Sequence, residues 1–238
     1  MSEFNWYWLD RGYRNHLIKR HRFFVSQAKS LLLSPFSKIG DHSTVLTEEW
    51  IGDQNVHFDP DRDDPFAILE RAHDTEIEFY GLLTELHSQT RLNIIVGMFA
   101  LWEKEVRDLV TSQTHHLPEE VKKALWKCPF ERLFEFFECL GWDARSESFY
   151  ASLDKCRLIV NTHKHGEGSS FDRLKQEFPQ YIRHFDNPWA ERYATHTDLQ
   201  VSDEDLDRFA LAIEKFWESI PGQLFSDEDL NLPDWLLK

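Results

Sequence analysis

The amino-acid sequence predicts an all-α protein on three observations. Glycine and proline are sparse, nine of each in 238 residues, so long stretches lack the residues that break helices. Apolar side chains in those stretches recur every three or four positions instead of alternating. Helix-starting chemistry precedes several of them, as in Leu117-Pro118-Glu119-Glu120 and in Ser202 followed by Asp205. With 41% apolar and 14% aromatic residues, the chain has ample material for an ordinary core.

The elements follow in order. Residues 1–12 carry Phe4, Trp6, Tyr7 and Trp8 and are expected to dock on the body as an arm. Residues 13–33 read as a helix with Arg14, Lys19, Arg20 and Arg22 on its polar side, ended by Ser34-Pro35. That basic side suits solvent or a nucleic acid. Residues 39–64 have little periodicity and many turn formers and read as a loop. Within and after it, Asp59, Asp61, Asp63 and Glu70 fall at positions one, three, five and twelve of a calcium-loop template, but Asp64 stands where that template needs glycine. Acids ahead of Pro65 serve equally as helix-start chemistry.

Residues 65–87 and 92–112 are expected to form two antiparallel helices joined near 88–90. His115-His116 precedes the next helix, and adjacent histidines diverge on any regular element. The helix starting near Leu117 is interrupted at Cys128-Pro129, and 130–140 continues as an apolar segment closed by Gly141. Residues 171–178 read as a short amphipathic helix and 181–193 as an aromatic loop with a turn at Asn187-Pro188. Residues 202–220 form the clearest helix, with a capping box at Ser202 and Asp205 and a stop at Pro221-Gly222. An acidic, apolar tail over 226–238 is expected to fold back. The expected organisation is an arm, helix and loop over 1–64, a helical domain over 65–222, and a tail over 223–238.

The net charge is −15, from 42 acidic and 27 basic residues, which argues against a bulk duplex-binding surface. A small basic cleft is compatible with it, because salt screens such repulsion beyond about 10 Å. Cys128, Cys139 and Cys156 are odd in number and lack CxxC spacing, the usage of reduced thiols. The start, MSEFNWYWLDRGYRN, has no apolar core of signal-peptide length, and the apolar run 92–102 falls short of the roughly 20 residues that span a bilayer. A cytoplasmic, non-membrane protein is expected.

The stretch 153–170, LDKCRLIVNTHKHGEGSS, concentrates the chemistry. On an ideal helix with Arg157 at zero, Asn161 lies at roughly +40°, Lys164 at roughly −20°, His165 at roughly +80° and Asp154 at roughly +60°. Leu153, Cys156, Ile159, Val160 and His163 gather near roughly −100°, on the apolar side. A histidine works near neutral pH as a proton carrier and an arginine holds phosphate oxygens bidentately. Structural uses compete. His165 ahead of Gly166 suits the last carbonyls of a helix, His163 suits a core or interface position, and Arg157 can pair with Asp154 across one turn.

Arg157, Asn161, Lys164-His165-Gly166 and Gly168-Ser169-Ser170 together resemble the signature helix of HEPN domains, α-helical domains of prokaryotic toxin-antitoxin and defence systems. The resemblance covers roughly residues 65–220 and implies an antiparallel helical bundle, here with an added N-terminal helix and loop. Many members of that family cut RNA without a metal, as homodimers with an arginine and a histidine, four to six residues between them, facing a shared cleft. Arg157 and His163 enclose five residues; Arg157 and His165 enclose seven. The implied catalytic set is Arg157, Asn161, His163 and His165, with Lys164 and Asp154 binding substrate, and with no metal or cofactor. The expected activity is metal-independent endoribonuclease action by a homodimer, as a toxin or defence effector. The alternative is a non-catalytic HEPN-like module for dimerisation and for binding RNA, a nucleotide, an antitoxin or another protein.

Overall fold

In the computed structural model, residues 4–55, 59, 62–113, 117–187, 189, 192–226 and 232–236 are described. The chain is all-α, with one two-stranded ribbon in which β1 (Phe4–Trp8) pairs antiparallel with β2 (Gln223–Ser226). It divides into two compact units, one formed by Met1–Val25 with Ile94–Lys238 and the other by Ser26–Asn93.

Helix α1 (Arg11–Ala28) begins where the Asp10 carboxylate accepts from the Gly12 and Tyr13 amides, at 2.8 and 3.1 Å. Ser34-Pro35 does not end the helical path. A π-turn over Lys29–Leu33 passes into a 3-10 turn over Ser34–Lys38, where proline at a first-turn position loses no needed N–H. The expected loop over 39–64 is largely a helix, α2 (Ile39–Asn55). Its turn-forming hydroxyls bond within the helix, Ser43 and Thr44 to the Gly40 carbonyl and Thr47 to that of Ser43, so Ser43 and Thr47 are buried with their polar atoms satisfied. Gly40 and Gly52 face open space.

The two helices expected between 65 and 112 are one, α3 (Pro65–Gln113). Residues 88–90 contain neither glycine nor proline, and the Thr90 hydroxyl bonds the Leu86 carbonyl at 2.7 Å, so nothing there breaks the helix. The calcium template is used as helix-start chemistry. Asp64 accepts from the Phe66 amide at 2.9 Å and Asp63 from the Asp59 amide at 2.8 Å, while Asp61 lies outside the described residues. His115 and His116 also lie outside them.

In the larger unit, α4 (Glu119–Lys127) and α5 (Phe130–Cys139) each follow a proline, and Gly141 turns the chain with φ +90°. Helices α6 (Tyr150–His165), α7 (Ser169–Glu177) and α8 (Asp203–Ser219) complete it, and α6 packs on both α7 and α8. The Ser202–Asp205 capping box starts α8 as the sequence predicts. Phe216 of α8 is the centre of the core. Its ring meets Trp102 at 5.1 Å, Trp142 at 5.6 Å and Phe149 at 5.5 Å, in edge or tilted geometries that suit aromatic quadrupoles. In the tail, Trp235 donates to Glu135 at 3.0 Å and Leu236 is buried. No described helix is long and apolar enough to cross a membrane.

Candidate functional site

Helix α6 ends at Gly166, whose φ of +74° is open to glycine and strained for other residues. The two-faced helix of the sequence projection is covered over more than its apolar face. Leu153, Cys156, Leu158, Ile159, Val160 and Thr162 are all at or below 1% exposure, and Arg157 is only 9% exposed. Neighbouring helices cover the flank on which Arg157 lies, whereas Ala151 near the start of α6 and Lys164 and His165 in its last turn are exposed.

Arg157 is held by carboxylates. Its Nε and Nη2 donate to Asp154 Oδ1 at 2.9 and 2.7 Å, its Nη1 lies 2.9 Å from Glu131 Oε1 on α5, and its guanidinium sits 5.4 Å from the Phe130 ring centroid. Asp154 Oδ2 takes Arg173 Nη2 at 3.3 Å, and Arg173 also grips Glu177. The Glu177 hydrogen bonds hold the Arg173 guanidinium well above the ordinary arginine value. Glu131, Arg157, Asp154, Arg173 and Glu177 thus form a chain of three carboxylates and two guanidiniums with a formal charge of −1. Such a chain pins α5, α6 and α7 together and offers an incoming phosphate no spare cation. Asp154 is therefore spent on the two arginines.

His163 lies elsewhere on the helix. It follows Arg157 by six residues, roughly 240° around a regular helix, and α6 stays regular to its end, with the Gly166 amide bonding the Thr162 carbonyl at 2.9 Å. His163 is half-buried, and burial, then the nearby His196, then Lys164 push its imidazole below the ordinary value of 6.5. Asn161 is half-buried. Arg157 and His163 accordingly belong to different surroundings, the first among carboxylates and the second beside another imidazole.

His196 was not among the candidates from sequence. Its ring lies over Gly166, where a Cβ would stand 3.6 Å from Nδ1 and Cε1, and Nδ1 is 3.9 Å from Glu167 Oε1. That Nδ1 is buried and makes no hydrogen bond among the described residues. The sequence does carry a signal for the local turn. Thr195 and Asp198 form a capping box, with Asp198 Oδ2 accepting from the Thr195 amide at 2.9 Å, and this fixes His196 at the head of a 3-10 turn. What the sequence lacks is the long-range packing that brings it to Gly166.

At the end of α6 the ring of His196, from its own 3-10 turn, lies over Gly166 near His163, and Lys164 and His165 of the last turn are exposed, while Arg157 belongs to a closed ion-pair chain. Among the described residues no group of three His, Cys, Asp or Glu side chains is arranged to hold a metal ion. All three cysteines are free thiols, each pushed up by burial above the ordinary value. Comparison of the chain with protein-family models, with curated proteins and with solved structures finds no match.

Proposed function

We propose that this chain is a HEPN-like helical module that works by binding a protein partner and not by cutting RNA. The observation that carries this is the engagement of Arg157 by Asp154 and Glu131, which occupies the one buried arginine among the described residues. The partner class rests on α3. Phe66, Leu69, Ile77 and Tyr80 fall within an arc of roughly 80° and are each more than half exposed. His73, also exposed, lies in the same arc between Leu69 and Ile77, and exposed apolar side chains grouped on one helix face mark interaction sites. Residues 26–93 carry thirteen acidic against five basic side chains, so the complementary partner is a basic segment with an apolar face, and two such units repel each other.

The test uses a helical peptide of leucine and lysine at heptad spacing and its leucine-glutamate counterpart, titrated by calorimetry. Binding of the basic peptide alone, lost in Ile77→Asp, is expected. Equal binding of both peptides refutes the charge argument, and a doubled mass in sedimentation that Ile77→Asp abolishes replaces the partner with a second copy. Against a panel of RNAs in EDTA no cleavage is expected.

A catalytic alternative, the metal-independent endoribonuclease, draws support from the juxtaposition of His163 and His196, two imidazoles beside Lys164. One neutral imidazole as base and one charged imidazole as acid would suffice for attack by a ribose 2′-hydroxyl. EDTA-resistant cleavage abolished by both His163→Asn and His196→Asn, with folding intact, would establish it over the binding module.

A further inference from the structure

Between the second half of α1 and the α3 segment around Trp102 lies a cleft of about 380 Å³, all of whose lining residues belong to the larger unit. Phe24, Met98, Leu101 and Trp102 form its apolar wall. Cavities of this size and lining are typical of small-ligand sites.

Trp102 supplies the first independent pointer. It is 1% exposed, wedged among Phe99, Phe130 and Phe216, and its Nε1–H has no acceptor among the described residues. A buried donor left unmade is destabilising, and buried polar groups are almost always satisfied. Trp102 is itself one of the residues that line the cleft, so the unmade donor belongs to its wall.

Charge supplies the second. Helix α1 carries Arg11, Arg14, Lys19, Arg20 and Arg22 and no carboxylate, in a chain of net charge −15. Arg14 is spent on the Ile220 carbonyl and Arg22 on Glu214 and Glu218. Lys19 and Arg20 face the cleft, and Lys19 makes no ion pair among the described residues. Arg20 Nη2 lies 3.3 Å from Glu105 Oε1, whose carboxyl burial pushes above the ordinary value. His21 adds no charge. Its Nε2–H donates to the Ala210 carbonyl at 2.8 Å, and burial pushes the imidazole towards its neutral form. The balance at the cleft is one uncompensated cation, Lys19, beside one cation occupied by Glu105.

We propose that this cleft binds a small amphipathic carboxylate, with the apolar body against Phe24, Met98, Leu101 and Trp102 and the carboxylate at Lys19 and Arg20. Glu105 holds Arg20 while the cleft is empty and competes with the ligand for it. One net cation suits a monoanion, and a polyphosphate would leave most of its charge unmatched among the acids of this chain. The cleft is lined by none of the residues of the last turn of α6 or of the exposed face of residues 65–80, so the proposal stands or falls independently of the function argued above.

The test titrates the full chain by calorimetry and ligand-observed NMR with 2-naphthoate, octanoate and the uncharged 2-naphthamide. A carboxylate is expected to bind about tenfold more tightly than the amide, the effect of a charge-assisted contact. Lys19→Gln is expected to weaken 2-naphthoate about fivefold, whereas Glu105→Gln, by releasing Arg20, tightens it about threefold. Leu101→Trp fills the mouth and abolishes binding, with far-UV circular dichroism confirming the fold of each variant. Preference for naphthoate or octanoate distinguishes an aromatic from a fatty ligand. Equal affinity for naphthoate and naphthamide, weakening in Glu105→Gln, saturable binding that survives Leu101→Trp, or no binding of either carboxylate at about 1 mM would each overturn the proposal.

Discussion

Replacing Arg157 by methionine removes the centre of the ion-pair chain while keeping most of the side chain's apolar stem. The side chains of Arg157 and Asp154 are 11% and 19% exposed, whereas that of Glu131 is 45% exposed. The Glu131 contact is screened and contributes about 0.5 kcal/mol. The Asp154 contact is enclosed, and its loss leaves a carboxylate served only by Arg173 at 3.3 Å, so the total cost is about 2–4 kcal/mol. In a chain of this length that lowers the thermal midpoint by about 5–15 °C. Because much of the cost is the stranded Asp154 charge, the double variant Arg157→Met/Asp154→Asn should be less destabilised than the two single changes added together. Thermal denaturation followed by circular dichroism measures all three, with RNA cleavage in EDTA run in parallel. A midpoint within about 1 °C of the parent protein, or a loss of cleavage at unchanged midpoint, refutes the assignment of Arg157 as a structural cation.

Three further outcomes follow from the same helix and its neighbours. Thr162 is fully buried and its hydroxyl has no hydrogen-bond partner among the described residues, so Thr162→Val should be neutral or stabilising by up to about 1 kcal/mol, and a clear loss in chemical denaturation would mean that the hydroxyl has a partner. Gly166→Ala forces a side chain into positive φ next to the His196 ring and should cost about 1–2 kcal/mol; an unchanged denaturation midpoint would contradict the conformation of that turn. Burial holds His21 and His163 below the ordinary 6.5 in the folded chain, so the unfolded chain takes up their protons first. Their contribution to stability is complete above pH 6.5 and falls as the pH drops through it. The thermal midpoint should therefore decline between about pH 7.5 and 5.5, less steeply in His21→Gln, and a flat or rising midpoint on acidification counts against neutral buried imidazoles.

What could be read from sequence was mostly local chemistry. Ser202 and Asp205 announce α8 because both halves of a capping box lie within one turn, and Gly166 announces the end of α6 because only glycine takes its φ readily. Helix α2 was illegible because Gly40, Ser43, Thr44 and Gly52 look like turn residues, and only the completed helix shows their hydroxyls bonding carbonyls and their glycines facing open space. The continuity of α3 was missed where Ser88, Gln89 and Thr90 resemble a joint. At the candidate site, the Asp154–Arg157 pair follows from three-residue spacing, but Glu131 and His196 reach α6 from other elements, and a helical projection of α6 alone carries neither. A projection with one covered face also leaves out the burial of Arg157 on the other flank.

The ribbon that joins Phe4–Trp8 to Gln223–Ser226 has a consequence in time as well as space. Trp8 lies opposite Gln223, a partner made more than two hundred residues later. At ordinary elongation rates the first strand waits roughly ten to forty seconds for its complement. Through that interval the aromatic run Asn5-Trp6-Tyr7-Trp8 has no strand to pair with, while the α-helices that follow can already form from local contacts. The ribbon is thus a late event in the life of each molecule, and its closure, which also brings the Leu9 amide onto the Gly222 carbonyl and Arg14 onto the Ile220 carbonyl, marks the moment at which one edge of the first strand is no longer open to its surroundings.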